Sequence, residues 1–298
     1  MPSIIATCLR EQIRFLKPIL NKSSIFDART AQNKVGELSA KMSSSKIDFE
    51  DVEFERFNTS WAIPKNVERY NDKVILYLHG GGYTAGHLDY AKGFGGILAS
   101  RLNSRVFCVA YRLAPENCFP AALDDALEAY RYLLALGIPN SDIHLAGESA
   151  GGGLIFCLAQ KLMQLGLPMP QTLIALSPWT DLTMTSETCM EMESHDPSLS
   201  REMLEYFASL YAPDNLTDPL VSPIFGTFRD FPPTLIFVGS DEILLDDSRI
   251  ISERLISMGN KCELHVVDGM WHVFVIFKTP ESSEALCRID EFIKENSK

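Results

Sequence analysis

The sequence predicts an α/β fold with a mostly parallel central sheet and helices on both of its faces. Three observations predict it. Short apolar runs alternate with helical segments from Val52 onward, the pattern of strands covered on both sides. Two of those runs feed directly into glycines, which punctuate a strand-to-loop or strand-to-helix turn. And 46% of the 298 residues are hydrophobic against 22% charged, enough apolar side chain for a sizeable core.

The first 45 residues precede this alternation. Ile5, Leu9, Ile13, Leu16 and Leu20 recur at helical spacing, Asp27 to Met42 reads as a second helix, and Ser43-Ser44-Ser45 as a linker. Lys73 to His79 (KVILYLH) and Arg105 to Tyr111 (RVFCVAY) are strands. Ala121 to Leu136 is a helix stopped by Gly137 and Pro139. Asp142 to Ala146 is a strand running into Gly147, and Ala150 to Leu165 a helix closed by Gly166 and Pro168. Thr172 to Ser177 and Thr234 to Val238 are further strands. Leu244 to Met258 is a helix, Lys261 to Val267 a strand and Glu281 to Lys294 the final helix. Met184 to Leu220 breaks the alternation: it is polar, Met-rich, carries one helical stretch at Ser200 to Tyr211, and exceeds an ordinary connection. The expected organisation is a core in two parts, residues 46–183 and 216–298, with a cap made of residues 1–45 and an insertion at 184–215.

Charge excludes several classes of partner. Lys and Arg number 27 against 39 Asp and Glu, a net −12, so nucleic acid and anionic lipid would be repelled unless basic residues were segregated. No such segregation occurs; the longest basic grouping, Arg10 to Lys17, is interrupted by Glu11. The 7 cysteines are odd in number and show no CxxC or Cys/His ligand spacing, which argues against a disulfide framework or a Cys-rich zinc site and for reduced thiols in a cytoplasmic protein. Ile4 to Leu9 is too short for a secretory apolar core, and no apolar run approaches ~18 residues.

The strongest chemical signal is Gly147-Glu148-Ser149-Ala150-Gly151, a G-x-S-x-G pentapeptide set between a strand-like and a helix-like run. A sharp turn there lifts the serine hydroxyl out at the edge of the sheet, beside a helix N-terminus. The bland alternative is a glycine-rich turn with an incidental serine. His79-Gly80-Gly81-Gly82-Tyr83 follows the strand KVILYL, and its glycines leave backbone N–H groups open to a developing oxyanion. A phosphate loop is disfavoured, because no Lys-Ser/Thr follows. His79 reads as a scaffold residue of that loop rather than a proton carrier.

A serine nucleophile needs a base and an orienting carboxylate, in the order Ser, acid, His along such a chain. His272 follows the strand ELHVV and the turn Asp268-Gly269, whereas His265 lies inside that strand. The preceding strand mouth offers Asp241, Glu242, Asp246 and Asp247. Asp241 is favoured by its place at the mouth, while Asp246 and Asp247 sit where helix N-terminal acids serve as caps.

Taken together, HGGGY at 79–83, YRLAPE at 111–116, FPAALDDA at 119–126, GESAGG at 147–152, SPWTDL at 177–182, DPLVSP at 218–223, GSDEILLDD at 239–247 and GMWHVF at 269–274 resemble the hormone-sensitive-lipase-like family of α/β-hydrolase esterases. The resemblance implies Ser149 as nucleophile, Asp241 as acid, His272 as base, and Gly81, Gly82 and Ala150 as oxyanion donors. It also implies a cap made of the N-terminal helices and the insertion. Two departures stand out: Glu148, where Asp or Thr is usual, and Asp-Glu-Ile, where Asp-Pro-Leu is common. Arg112 and Glu116 read as a buried structural pair.

The expected function is hydrolysis of short-to-medium-chain carboxylic esters through an acyl-enzyme, with no metal or cofactor. Amide hydrolysis is the alternative on the same triad; a non-catalytic receptor on the same fold is disfavoured by the presence of His272. Met184, Met190, Met192, Met203, Tyr206 and Phe207 are candidates for an apolar pocket wall, though packing of the cap onto the core accounts for most of them. The partner expected is a small-molecule ester, with no nucleic acid or membrane, and a homodimer through the last strand is possible on topology.

Overall fold

The computed structural model describes residues 1–20, 24–65 and 73–297. An eight-stranded sheet organises it, in the order β1-β2-β4-β3-β5-β6-β7-β8. The strands are β1 (Ile47–Glu53), β2 (Asn58–Pro64), β3 (Val74–Leu78), β4 (Arg105–Ala110), β5 (Ile143–Glu148), β6 (Thr172–Leu176), β7 (Thr234–Gly239) and β8 (Cys262–Val267). From β4 to β8 the neighbours run parallel; β1, β2 and β4 are joined antiparallel.

Along β3, Val74, Leu76 and Leu78 enter one core and Ile75 and Tyr77 the other, the period-two division of a strand buried on both faces. Helices α4 (Ala121–Ala135), α5 (Ala150–Gln164) and α8 (Leu245–Ser257) contribute to the first core. Helices α3 (Leu88–Leu102) and α9 (Pro280–Glu295) contribute to the second. The chain passes from β3 to β4 on one side and then to β5 on the other, so the ends of β3 and β5 meet where strand order reverses, the usual place for a ligand in an open α/β sheet.

Three elements differ from the sequence reading. The β1–β2 hairpin was not foreseen, because IDFEDVE alternates charged with apolar residues as an edge strand does, without the continuous apolar run of the inner strands. Helix α3 was not foreseen either: Gly93, Gly95 and Gly96 lower its helix propensity, yet it is held between the sheet and helix α2 (Ile25–Ser43). The insertion holds two helices rather than one, α6 (Glu187–Glu191) and α7 (Arg201–Tyr211).

Helix α1 (Ile4–Leu20) turns Ala6, Leu9 and Ile13 toward the second core while Ile5 and Leu16 stay exposed; the side chain of Leu20 lies outside the described residues. Arg112 does not pair with Glu116. It forks onto Asp125 of α4 at 2.7 Å, and Glu116 instead takes Arg29 of α2 at 2.7 Å, because the loop at 112–116 turns Glu116 outward to that helix.

Candidate active site

Strand β5 ends at Glu148, and Ser149 follows it with φ 54° and ψ −122° before α5 begins. A side chain would be strained in that conformation unless its surroundings enforced it. They do: Ser149 N–H donates to Leu176 O at 2.9 Å, and Ser149 O accepts from Trp179 N at 3.0 Å. A Cβ on Gly147 would lie 2.3 Å from Gly151 O, and one on Gly151 would lie 2.1 Å from Leu78 O. Only glycine fits on either side of this serine.

His272 Nε2 lies 2.9 Å from Ser149 Oγ, and His272 Nδ1 lies 2.8 Å from Glu242 Oε2. A carboxylate only accepts, so Nδ1 carries the proton and Nε2 accepts from the serine hydroxyl. The structure therefore brings Ser149 and His272 together but puts Glu242, not Asp241, behind the imidazole. Glu242 is fully buried; its Oε1 accepts from Gly239 N at 2.6 Å and from Ser177 Oγ at 2.8 Å. Ser177 Oγ in turn accepts from Val273 N at 2.9 Å, tying the acid to the residue beside His272.

Asp241 faces the other way. Its carboxylate pairs with Arg10 of α1 at 2.6 Å, and Arg10 also donates to Gly269 O at 3.4 Å. The turn after β7 aims residue 242 inward and residue 241 toward α1, so the extra methylene of Glu reaches where the sequence reading expected Asp. Asp246 accepts from Thr188 N at 3.0 Å, and Asp247 accepts from Thr180 N at 2.6 Å and Asp181 N at 2.8 Å. Both anchor loops. Ser177 was not singled out in the sequence; its place at the start of SPWTDL, directly after a strand, was the available signal.

The glycine loop lies beside this relay. Gly81 and Gly82 have φ values of +118° and +61°, and a Cβ on Gly82 would lie 2.4 Å from the Phe207 ring of α7. No acceptor among the described residues takes the N–H of Gly81, Gly82 or Ala150. His79 is buried and stacked on Tyr111 at 4.3 Å, with Nδ1 donating to Gly80 O at 2.7 Å. Burial lowers its pKa to about 4, so it is a neutral scaffold.

A cavity of about 430 Å3 opens over Ser149 and His272. Ile25, Ala28 and Gln32 of α2 form one wall and Met203, Tyr206 and Phe207 of α7 another. Of the other methionines considered for that wall, Met184 is buried against Trp179 and Met190 is exposed. A larger cavity of about 540 Å3, among α2, α3 and the start of α9, contains none of these groups. Among the described residues no cluster of His, Cys, Asp and Glu is arranged to hold a metal ion.

The chain as a whole is similar to known proteins. A family model described as alpha/beta hydrolase fold matches residues 75–276. An esterase of Acinetobacter venetianus is 39% identical over 224 residues, covering 74% of each chain. An ethyl acetate hydrolase of Pseudomonas putida is 33% identical over 233 residues, 75% of this chain and 73% of that one. Among solved structures, an esterase from the bacterial hormone-sensitive lipase family superposes with a TM-score of 0.89 at 34% identity over 100% of both chains.

Proposed function

Because the chain belongs to the hormone-sensitive-lipase-like family of α/β hydrolases, we propose that its esterase chemistry runs through Ser149, His272 and Glu242. The protein is a carboxylesterase of the serine-hydrolase class. The observation that carries the assignment of residues is the unbroken relay from Ser149 Oγ to His272 at 2.9 Å and on to Glu242 at 2.8 Å.

Ser149 Oγ attacks the ester carbonyl while its proton passes to His272 Nε2. Glu242 holds the Nδ1–H tautomer and stabilises the imidazolium that forms. The N–H groups of Gly81, Gly82 and Ala150 take the oxyanion of the tetrahedral intermediate, each such donor being worth roughly 3–4 kcal/mol in the transition state. His272 then protonates the departing alcohol; in deacylation it takes a proton from water as the hydroxide adds to the acyl carbonyl, and returns that proton to Ser149 Oγ as the C–O bond breaks and the acid leaves. An organophosphonate ester should label the wild type on Ser149, and Ser149→Ala should lose labelling and about 10⁴–10⁶-fold in kcat while remaining folded. Labelling elsewhere with activity retained would refute the assignment.

Residues 1–45 and 184–215 act together as a cap on this reading. Lys17 of α1 donates to Glu193 O at 3.0 Å and Asp196 O at 2.7 Å in the insertion, and α2 and α7 wall the same cavity. A cavity enclosed in this way favours soluble short-to-medium acyl esters over emulsified fat, in line with the name of the ethyl acetate hydrolase relative. Rates on butyrate, octanoate and palmitate esters, below and above their aggregation points, test it: kcat/KM should fall with chain length and show no jump at aggregation.

No helix among the described residues is long and apolar enough to cross a membrane. Seven unpaired cysteines support a cytoplasmic setting. The open side of β8, at the end of the sheet, is the surface a homodimer would use.

A further inference from the structure

Glu148 is a buried carboxyl group that the relay does not use. It lies between Gly147 and Ser149 at the end of β5, is fully buried, and borders the substrate cavity. Its Oε1 accepts the Gly80 N–H at 2.6 Å, reaching from the nucleophile turn to the glycine loop. The two loops touch at this point: a Cβ on Gly80 would lie 3.0 Å from Ser149 Cβ and 3.3 Å from Glu148 Cγ.

We propose that Glu148 is a positioning residue for the oxyanion loop, its Oε1 holding the Gly80 N–H so that the next two N–H groups, of Gly81 and Gly82, stand over Ser149 Oγ. This rests on reading Gly81 and Gly82 as oxyanion donors. A hydrogen bond to a carboxylate is roughly twice as strong as a neutral one, and its geometry is rigid in a buried site. The position is costly to maintain. Oε2 has no hydrogen-bond partner of standard geometry among the described residues, and the groups acting on the carboxyl are hydroxyls: Tyr77 from β3, Tyr90 from α3 and Tyr111 after β4. Burial raises the Glu148 pKa to about 7, against the hydrogen bond from Gly80 and the smaller stabilising pull of the Tyr77 and Tyr90 hydroxyls. Met would fill the same space without that cost but also without an acceptor. A carboxyl buried here with Oε2 unpartnered therefore points to the bond that Oε1 makes.

Three variants test this by steady-state kinetics on a butyrate ester. Glu148→Gln retains an acceptor at the same reach and should keep kcat within about threefold. Glu148→Met should lose about 10²-fold in kcat with KM changed less than about threefold, the size expected when an oxyanion donor is misplaced. Glu148→Asp pulls the carboxylate back by one methylene; it should fall in kcat toward the Met variant while its Tm stays near that of wild type, and it decides the matter if the Met variant does not fold. Equal loss in all three, loss confined to KM, or full kcat in a folded Met or Asp variant would overturn the proposal. Ser149→Ala, run alongside, separates the two levels. If it remains active, the reading of the site fails. If it is dead while Glu148→Met and Glu148→Asp are unimpaired, only the positioning role fails.

Discussion

The nucleophile turn at 147–151 and the acid turn at 239–247 both follow parallel strands at the same edge of the sheet, yet they are specified differently. At the first, Gly147 and Gly151 have no room for a Cβ, so sterics leave one reactive side chain at the apex. At the second, Gly239 has no room for a Cβ either, but four carboxylates follow it and that steric constraint leaves all four as candidates. Their partners divide the work: Arg10 takes Asp241, His272 takes Glu242, Thr188 N–H meets Asp246, and the N–H groups of Thr180 and Asp181 meet Asp247. A local steric constraint can identify a residue, whereas a choice among equivalent groups is made by distant parts of the chain.

That contrast can be sharpened at the acid turn. Ser177→Ala removes a donor to Glu242 and the acceptor for Val273 N–H, without touching His272. It should lower kcat roughly 10-fold, about 1.4 kcal/mol of barrier, with little change in KM. Unchanged kcat would mean that Glu242 is held without this partner. A different outcome is expected at Asp247, whose removal strands two buried backbone donors. Asp247→Ala should cost about 2–3 kcal/mol of stability in chemical denaturation, while kcat per folded molecule stays near wild type. A selective loss of kcat there would erase the division of labour among the carboxylates.

The nucleophile turn makes the smallest prediction, through Glu148. Its pKa is raised to about 7 in the fold from an ordinary value of 4.5, so the native state binds the extra proton. Stability from this group is therefore full below pH ~4.5 and is lost as pH rises to ~7. Measured by Tm between pH 5 and 8, wild type should decline several degrees more than Glu148→Gln. Parallel curves would contradict the burial argument for this carboxyl.

The strands that pass through the middle of the sheet were legible because burial on both faces leaves uninterrupted apolar runs, as in KVILYL. The hairpin of β1 and β2 was not, since an edge strand mixes Asp48, Glu50 and Asp51 with its apolar residues. Helix α3 was hidden by glycines that its packing requires and its propensity opposes. At the site, Ser149, His272 and the glycine loop could be named from pattern and chain order. The acid could be narrowed to one turn but not to a residue, because the difference between 241 and 242 is the direction of a side chain. That direction depends on Arg10, far away in sequence, and on Ser177 and Gly239 around the acid.

The central claim is that Glu242, and not its neighbour, orients the imidazole. Purified Glu242→Gln and Asp241→Asn should be compared in kcat on one soluble ester, with Tm recorded for each. Glu242→Gln should lose about 10³–10⁴-fold, because an amide no longer holds the tautomer that accepts the serine proton. Asp241→Asn should stay within about threefold in kcat and lose about 1 kcal/mol of stability through its bond to Arg10. The reverse pattern, with Asp241→Asn inactive and Glu242→Gln active, would contradict the relay described above.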